Sequence, residues 1–90
     1  MYYVYILRTS SNTLYTGQTN NLEGRLKEHK EKSNKSAKYI RYFSSCNLVY
    51  FEKYKSRKES IRREIQIKKL TKAKKEMLIE TQEIKNNKKT

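Results

Sequence analysis

Five widely separated side chains carry the chemistry open to this sequence: Tyr5, Tyr15, Arg25, His29 and Glu64. Two phenols, a guanidinium, an imidazole and a carboxylate meeting on one patch of a basic protein would suit cleavage of a phosphodiester. An arginine fork matches two phosphate oxygens and meets the charge that grows on phosphorus in the transition state. Mg²⁺ takes hard oxygen ligands and often only one or two carboxylates, keeping its remaining waters and phosphate oxygens, so Glu64 alone suffices as its protein ligand. A tyrosine hydroxyl can orient or deprotonate the attacking water. Its ordinary pKa of about 10 must then be lowered by Arg25, Lys38 or the metal.

Each of these residues also has a plainer reading. Tyr5 and Tyr15 are ordinary cross-strand packing, Arg25 a surface charge, and His29 a hydrogen-bonded core residue. Glu64 and Lys68 are spaced as an i, i+4 ion pair worth about 0.2–0.5 kcal/mol. The run Lys68, Lys69, Lys72, Lys74, Lys75 is a solvated helix surface. On composition and periodicity alone, a basic binding module without chemistry is the favoured reading.

The elements that must position these residues are legible in outline. Residues 2–8 are rich in Tyr, Val and Ile with apolar side chains on both alternating faces, which predicts a strand covered on both sides. Ser10-Ser11-Asn12 supplies turn chemistry, and Thr13 to Thr19 predicts a second strand completing a hairpin. With the two tyrosines paired directly or two residues off, both hydroxyls leave the same face. Gly17 within that strand signals a close approach to its backbone.

Asn20 with Glu23 three residues later predicts a helix start, and Leu22, Leu26 and His29 share one face of a helix ending near Lys30. Arg25 and His29, at i, i+4, share its margin. A short helical segment over Ala37 to Phe43 precedes a third strand, Asn47 to Tyr54. Ser56-Arg57-Lys58-Glu59 is a capping box for a helix with Ile61, Ile65 and Leu70 along one side. Glu64 lies near that buried side, and Thr71 caps a last helix ending near Glu80. The order β-β-α-(α)-β-α-α predicts an α+β domain over 1–80, with a polar, disordered tail over 81–90.

Composition sets the outer limits. Ninety residues hold one domain with a thin core, 34% hydrophobic, burying about 60–65% of the unfolded surface. Eight tyrosines and the absence of proline set it apart from a disordered chain. Twenty-two Lys and Arg against nine Glu give +13, with +4 in residues 1–52 and +9 in 53–90, and such a charge predicts a polyanionic partner. One cysteine, Cys46, and one histidine exclude an internal disulfide and a structural zinc site. No apolar run approaches the ~18–20 residues of a membrane span, and the apolar start lacks the marks of a signal peptide. These features predict a cytoplasmic protein without a membrane partner.

The spacing of these residues resembles one family. Tyr3-Val4-Tyr5 followed by Tyr15-Thr16-Gly17 looks like the paired motifs of GIY-YIG nucleases, and Arg25-Leu-Lys-Glu-His29 is similar to that family's Arg-x-x-x-His helix. Ala37-Lys38-Tyr39-Ile40-Arg41 resembles the next patch of its small single-domain bacterial members. Glu64 through Thr71 matches their late helix. The resemblance spans residues 2 to 80 and rests on five motifs in order.

The resemblance implies a three-stranded antiparallel sheet flanked by helices. Tyr5 and Tyr15 would orient or activate water, with Tyr15 as the base. Gly17 would leave space near the scissile phosphate. Arg25 would stabilise the transition state, and His29 would carry a proton or fix a neighbour. Glu64 would hold one divalent cation, Mg²⁺ or Mn²⁺, and Lys38, Tyr39 and Arg41 would contact the substrate. The implied activity is endonucleolytic hydrolysis of DNA rather than RNA, leaving 5′-phosphate and 3′-hydroxyl ends.

This sequence departs from the pattern at Tyr3, Thr16 and the stretch Lys32 to Ser36, where relatives are glycine-rich. Relatives of known specificity add a domain that chooses the site. The resemblance therefore implies weak, structure-directed or partner-dependent activity, with a protein partner supplying specificity. The competing reading is a catalytically silent basic nucleic-acid-binding module. A basic structural protein of a ribonucleoprotein particle fits the composition but leaves Glu64 without a role.

Overall fold

The structure is a computed structural model that describes residues 1–31, 40 and 43–88. Strand β1 (Tyr2–Thr9) lies between β2 (Leu14–Thr19) and β3 (Cys46–Tyr54), antiparallel to both, in the order β2-β1-β3. Three helices complete the order: α1 (Leu22–Lys30) after β2, then α2 (Arg57–Lys68) and α3 (Lys72–Lys88) after β3. The fold is the α+β arrangement expected, a three-stranded antiparallel sheet flanked by helices. The segment expected to be helical over 37–43 lies largely outside the described residues.

The run Val4-Tyr5-Ile6-Leu7 explains why β1 is central. All four residues are at most 1% exposed, and alternation sends them to opposite faces. Val4 and Ile6 pack with Tyr50, Ile67 of α2 and Ile79 of α3. Tyr5 and Leu7 pack with Ile40, Cys46 and, from α1, Leu22 and Leu26. Burying each large aliphatic side chain contributes roughly 1.5–3 kcal/mol, so a thin core on two faces still holds the sheet. Asn12, at φ 64°, makes the left-handed turn of the β1–β2 hairpin, a conformation its side chain tolerates.

Capping residues start the helices, one of them a position later than the sequence suggested. Asn21, not Asn20, caps α1: its Oδ1 accepts from Gly24 N at 3.1 Å, and Glu23 falls inside the first turn. Ser56 Oγ accepts from Glu59 N at 3.2 Å at the start of α2, and Thr71 Oγ1 accepts from Lys74 N at 3.2 Å at the start of α3.

Two further expectations are corrected. The inward face of α2 carries Ser60 and Ile67, whereas Ile65 is 49% exposed. Two residues apart on a helix point nearly opposite ways, so Ile65 and Ile67 cannot both reach the core. Helix α3 also continues past Glu80 to Lys88. Ile79 is buried at that point, and the Gln82 side chain holds the helix to the edge strand, donating to Phe51 O at 2.8 Å and accepting from Phe51 N at 3.2 Å.

At its other end α3 is tied to the hairpin. Arg8 makes a two-pronged pair with Glu76 (2.6 and 2.8 Å), and Lys72 Nζ donates to Asn12 O at 2.6 Å. No described helix is long and apolar enough to cross a membrane.

Candidate active site

Strand register brings the two tyrosines together. Tyr5 stands opposite Gly17 and Leu7 opposite Tyr15, so the phenols are diagonal neighbours on one face, with ring centroids 6.5 Å apart. Helix α1 covers this face and adds His29, whose ring lies 6.1 Å from that of Tyr5 and 5.9 Å, edge-on, from that of Tyr15. Tyr5 Oη and His29 Nε2 are hydrogen-bonded at 3.1 Å.

The close approach that a glycine within a strand signals is made at Gly17 by the Tyr5 ring. A Cβ there would come within 3.0 Å of Tyr5 Cε2 and closer still to Cζ and Oη. Tyr5 is 1% exposed and pinned by His29, so it cannot yield. The missing side chain makes room for the Tyr5 ring, which holds the phenol in place beside His29.

Burial pushes the Tyr5 phenol up to about 12, against the hydrogen bond and charge of Arg25. At neutral pH it is therefore a proton donor, not a base. Burial opposes the charge on Arg25, yet hydrogen bonds and attraction to Tyr5 and Glu28 hold its pKa above the usual value. The Arg25–Glu28 contact measures 3.4 Å. His29 is lowered, first by burial and then by the Arg25 charge, which keeps the imidazole neutral. Arg25 donates to the Tyr5 oxygen, and either the phenol hydrogen or an Nε2 hydrogen bridges Tyr5 and His29, according to the imidazole tautomer. Nδ1 is buried with no hydrogen-bond partner among the described residues.

Glu64 reaches the same locality from α2, which packs against both β1 and β2. Its charge contributes to raising the Tyr5 pKa, so carboxylate and phenol share one electrostatic neighbourhood. The Glu64 side chain is 20% exposed and pairs with Lys68 at 3.6 Å, the i, i+4 contact the spacing predicted. Among the described residues no three His, Cys, Asp or Glu side chains cluster to cage a metal. The donor set is thus one hard carboxylate, which fits a cation that keeps most of its water. Lys38, Tyr39 and Arg41 lie outside the described residues.

Sequence reasoning missed a second polar cluster, on the other face of the sheet. Glu52 accepts from Arg63 Nε at 2.9 Å and Nη2 at 3.1 Å, and from both the Tyr50 and Tyr54 hydroxyls. Burial opposes its charge, but these donors prevail and hold the carboxyl below its usual range. Tyr50, Glu52 and Tyr54 alternate along β3, and that i, i+2, i+4 pattern was the available signal. Glu28, one turn from Arg25, was also missed.

Comparison with known proteins agrees with this architecture. The GIY-YIG catalytic domain matches residues 1–77. The UPF0213 protein CPE1444 of Clostridium perfringens is 47% identical over 85 residues, covering 94% of this chain and 89% of that protein. The UPF0213 protein OB0043 of Oceanobacillus iheyensis is 44% identical over 82 residues, 91% of this chain and 93% of its own length. The solution NMR structure of the UPF0213 protein BH0048 from Bacillus halodurans superposes with a TM-score of 0.58 at 36% identity, covering 90% of this chain and 85% of that one. Sheet order, paired tyrosine motifs and these likenesses together make the chain a member of the GIY-YIG nuclease family, in its small UPF0213 branch.

Proposed function

We propose that the protein is an endonuclease that hydrolyses DNA phosphodiester bonds with one divalent cation, Mg²⁺ or Mn²⁺, held by Glu64. The observation that carries this reading is the convergence of Tyr5, Tyr15, His29 and Arg25 within the electrostatic reach of Glu64.

The two phenols take different roles. Tyr5, at about 12, keeps its proton and fixes His29 and Arg25. Tyr15, the other phenol on that face, orients the attacking water and, having first given up its own proton to solvent, takes one from that water. Water adds to phosphorus as the bond to the 3′ oxygen breaks, and that oxygen takes up a proton from solvent, leaving a 5′-phosphate and a 3′-hydroxyl. Arg25 offers its fork to the charge that grows on the phosphoryl oxygens. A cation bound at Glu64 would supply Lewis-acid stabilisation of the departing oxygen.

The test is nicking of supercoiled plasmid with Mg²⁺ or Mn²⁺, by wild type, Glu64→Ala and Arg25→Ala, with an RNA of matched sequence as comparison. Wild type should nick DNA, chelation should stop it, and both variants should be silent. Cleavage that persists in both would overturn the assignment. The +13 charge favours one competing reading, a binding module without chemistry. It predicts salt-sensitive binding, no cleavage in any condition, and Glu64→Ala binding at least as tightly.

A further inference from the structure

Beside Arg25 a recess of about 500 Å³ opens at the end of β2 and has no role in the reaction above. Its lining comes from three parts of the chain: Tyr2 at the start of β1, Gln18, Thr19 and Asn20 leaving β2, and Arg57 at the start of α2, with Arg25 on its wall. Arg25 is thus common to the recess and the candidate active site.

Arg57 is the informative residue. It is exposed and forms no ion pair among the described residues. It occupies the first turn of α2, where the helix dipole disfavours a cation, so helix stability does not account for it. Two guanidiniums lining one recess, with uncharged hydrogen-bonding groups between them, suit an oxyanion with several acceptor oxygens. Glu28 also lines the recess, but its contact to Arg25 is a long 3.4 Å, one that an entering anion can replace.

We propose that this recess binds a backbone phosphate of the DNA strand next to the one cleaved, and that Arg57 is a positioning residue for it. Adjacency to a cleaved phosphate rests on the nuclease reading; the phosphate site itself does not.

Two metal-free measurements test it, so neither depends on chemistry. In an amide NMR titration with inorganic phosphate, the Gln18, Thr19 and Asn20 signals should move in wild type and stay still in Arg57→Ala. In anisotropy with a short fluorescent DNA duplex, Arg57→Ala should bind about 5-fold more weakly, with the salt dependence reduced by about one phosphate contact. Arg57→Lys should recover part of that loss. Lys58→Ala, the same charge change one residue away and outside the recess, should lose less. Phosphate shifts elsewhere, or equal losses in Arg57→Ala and Lys58→Ala, would overturn the proposal. Binding as described without any cleavage would instead defeat the nuclease reading and leave this one standing.

Discussion

Two clusters of tyrosine, arginine and glutamate sit on opposite faces of one small sheet, and they differ in what they leave free. Around Glu52, Arg63 and two phenols occupy the carboxylate oxygens, and the group ties β3 to α2. Around Tyr5, burial and neighbours shift three groups, yet among the described residues the Nδ1 of His29 is unmatched and Glu64 pairs with one half-exposed lysine, at 3.6 Å. Burial raises Tyr50 and Tyr54 as it raises Tyr5. A shifted proton affinity therefore does not separate a structural cluster from a reactive one. Unused ligand capacity next to an open recess does.

The contrast breaks most visibly in activity. Arg25→Ala should lower nicking by about 100-fold or more, the loss typical of removing one transition-state donor, with little change in melting temperature. Glu64→Ala should do the same. The converse variant, Glu52→Ala, strands Arg63 and two phenols. It should cost about 2–3 kcal/mol, less than a fully enclosed pair because Arg63 is partly exposed, and lower the melting temperature by roughly 10–20 °C. Equal destabilisation by Glu64→Ala and Glu52→Ala would erase the distinction.

Two smaller effects sharpen it. Gly17→Ala forces a methyl against the Tyr5 ring and should destabilise by about 1–3 kcal/mol, with loss of the Tyr5–His29 hydrogen bond seen as a changed imidazole chemical shift. The smallest effect is in pH. His29 is lowered in the folded protein, so as pH falls below the ordinary value of 6.5 the unfolded chain takes up protons first. Stability should therefore be complete above pH 6.5 and decline below it, and His29→Gln should flatten that decline. Loss of the Glu52 and Glu76 contributions, whose carboxyls are held low, belongs to a separate window below 4.5.

Local chemistry made much of this legible. Ser56 and Thr71 cap helices as their types predict, and apolar residues on both faces of 2–8 correctly marked a strand covered from two sides. What escaped depends on contacts between distant elements. The continuation of α3 beyond Glu80 needs Ile79 in the core and Gln82 against Phe51, neither readable from a polar segment alone. The choice of Ile67 over Ile65 is likewise made by the sheet beneath it. At the site, the sequence allows the tyrosines to pair directly or diagonally, and the register Tyr5 to Gly17 and Leu7 to Tyr15 selects the diagonal. That Gly17 serves Tyr5 became visible only once the two strands were side by side.

The Arg8–Glu76 latch joins residues 68 positions apart. A nascent polypeptide emerges from its amino end first, so the opening hairpin is made long before the segment that fastens it. Until then the Val4 and Ile6 side of β1 lacks its lid, an aggregation-prone interval during synthesis. Closing so long a loop comes late and is entropically expensive. A chain ending before Glu76 would have its opening hairpin without the segment that fastens it.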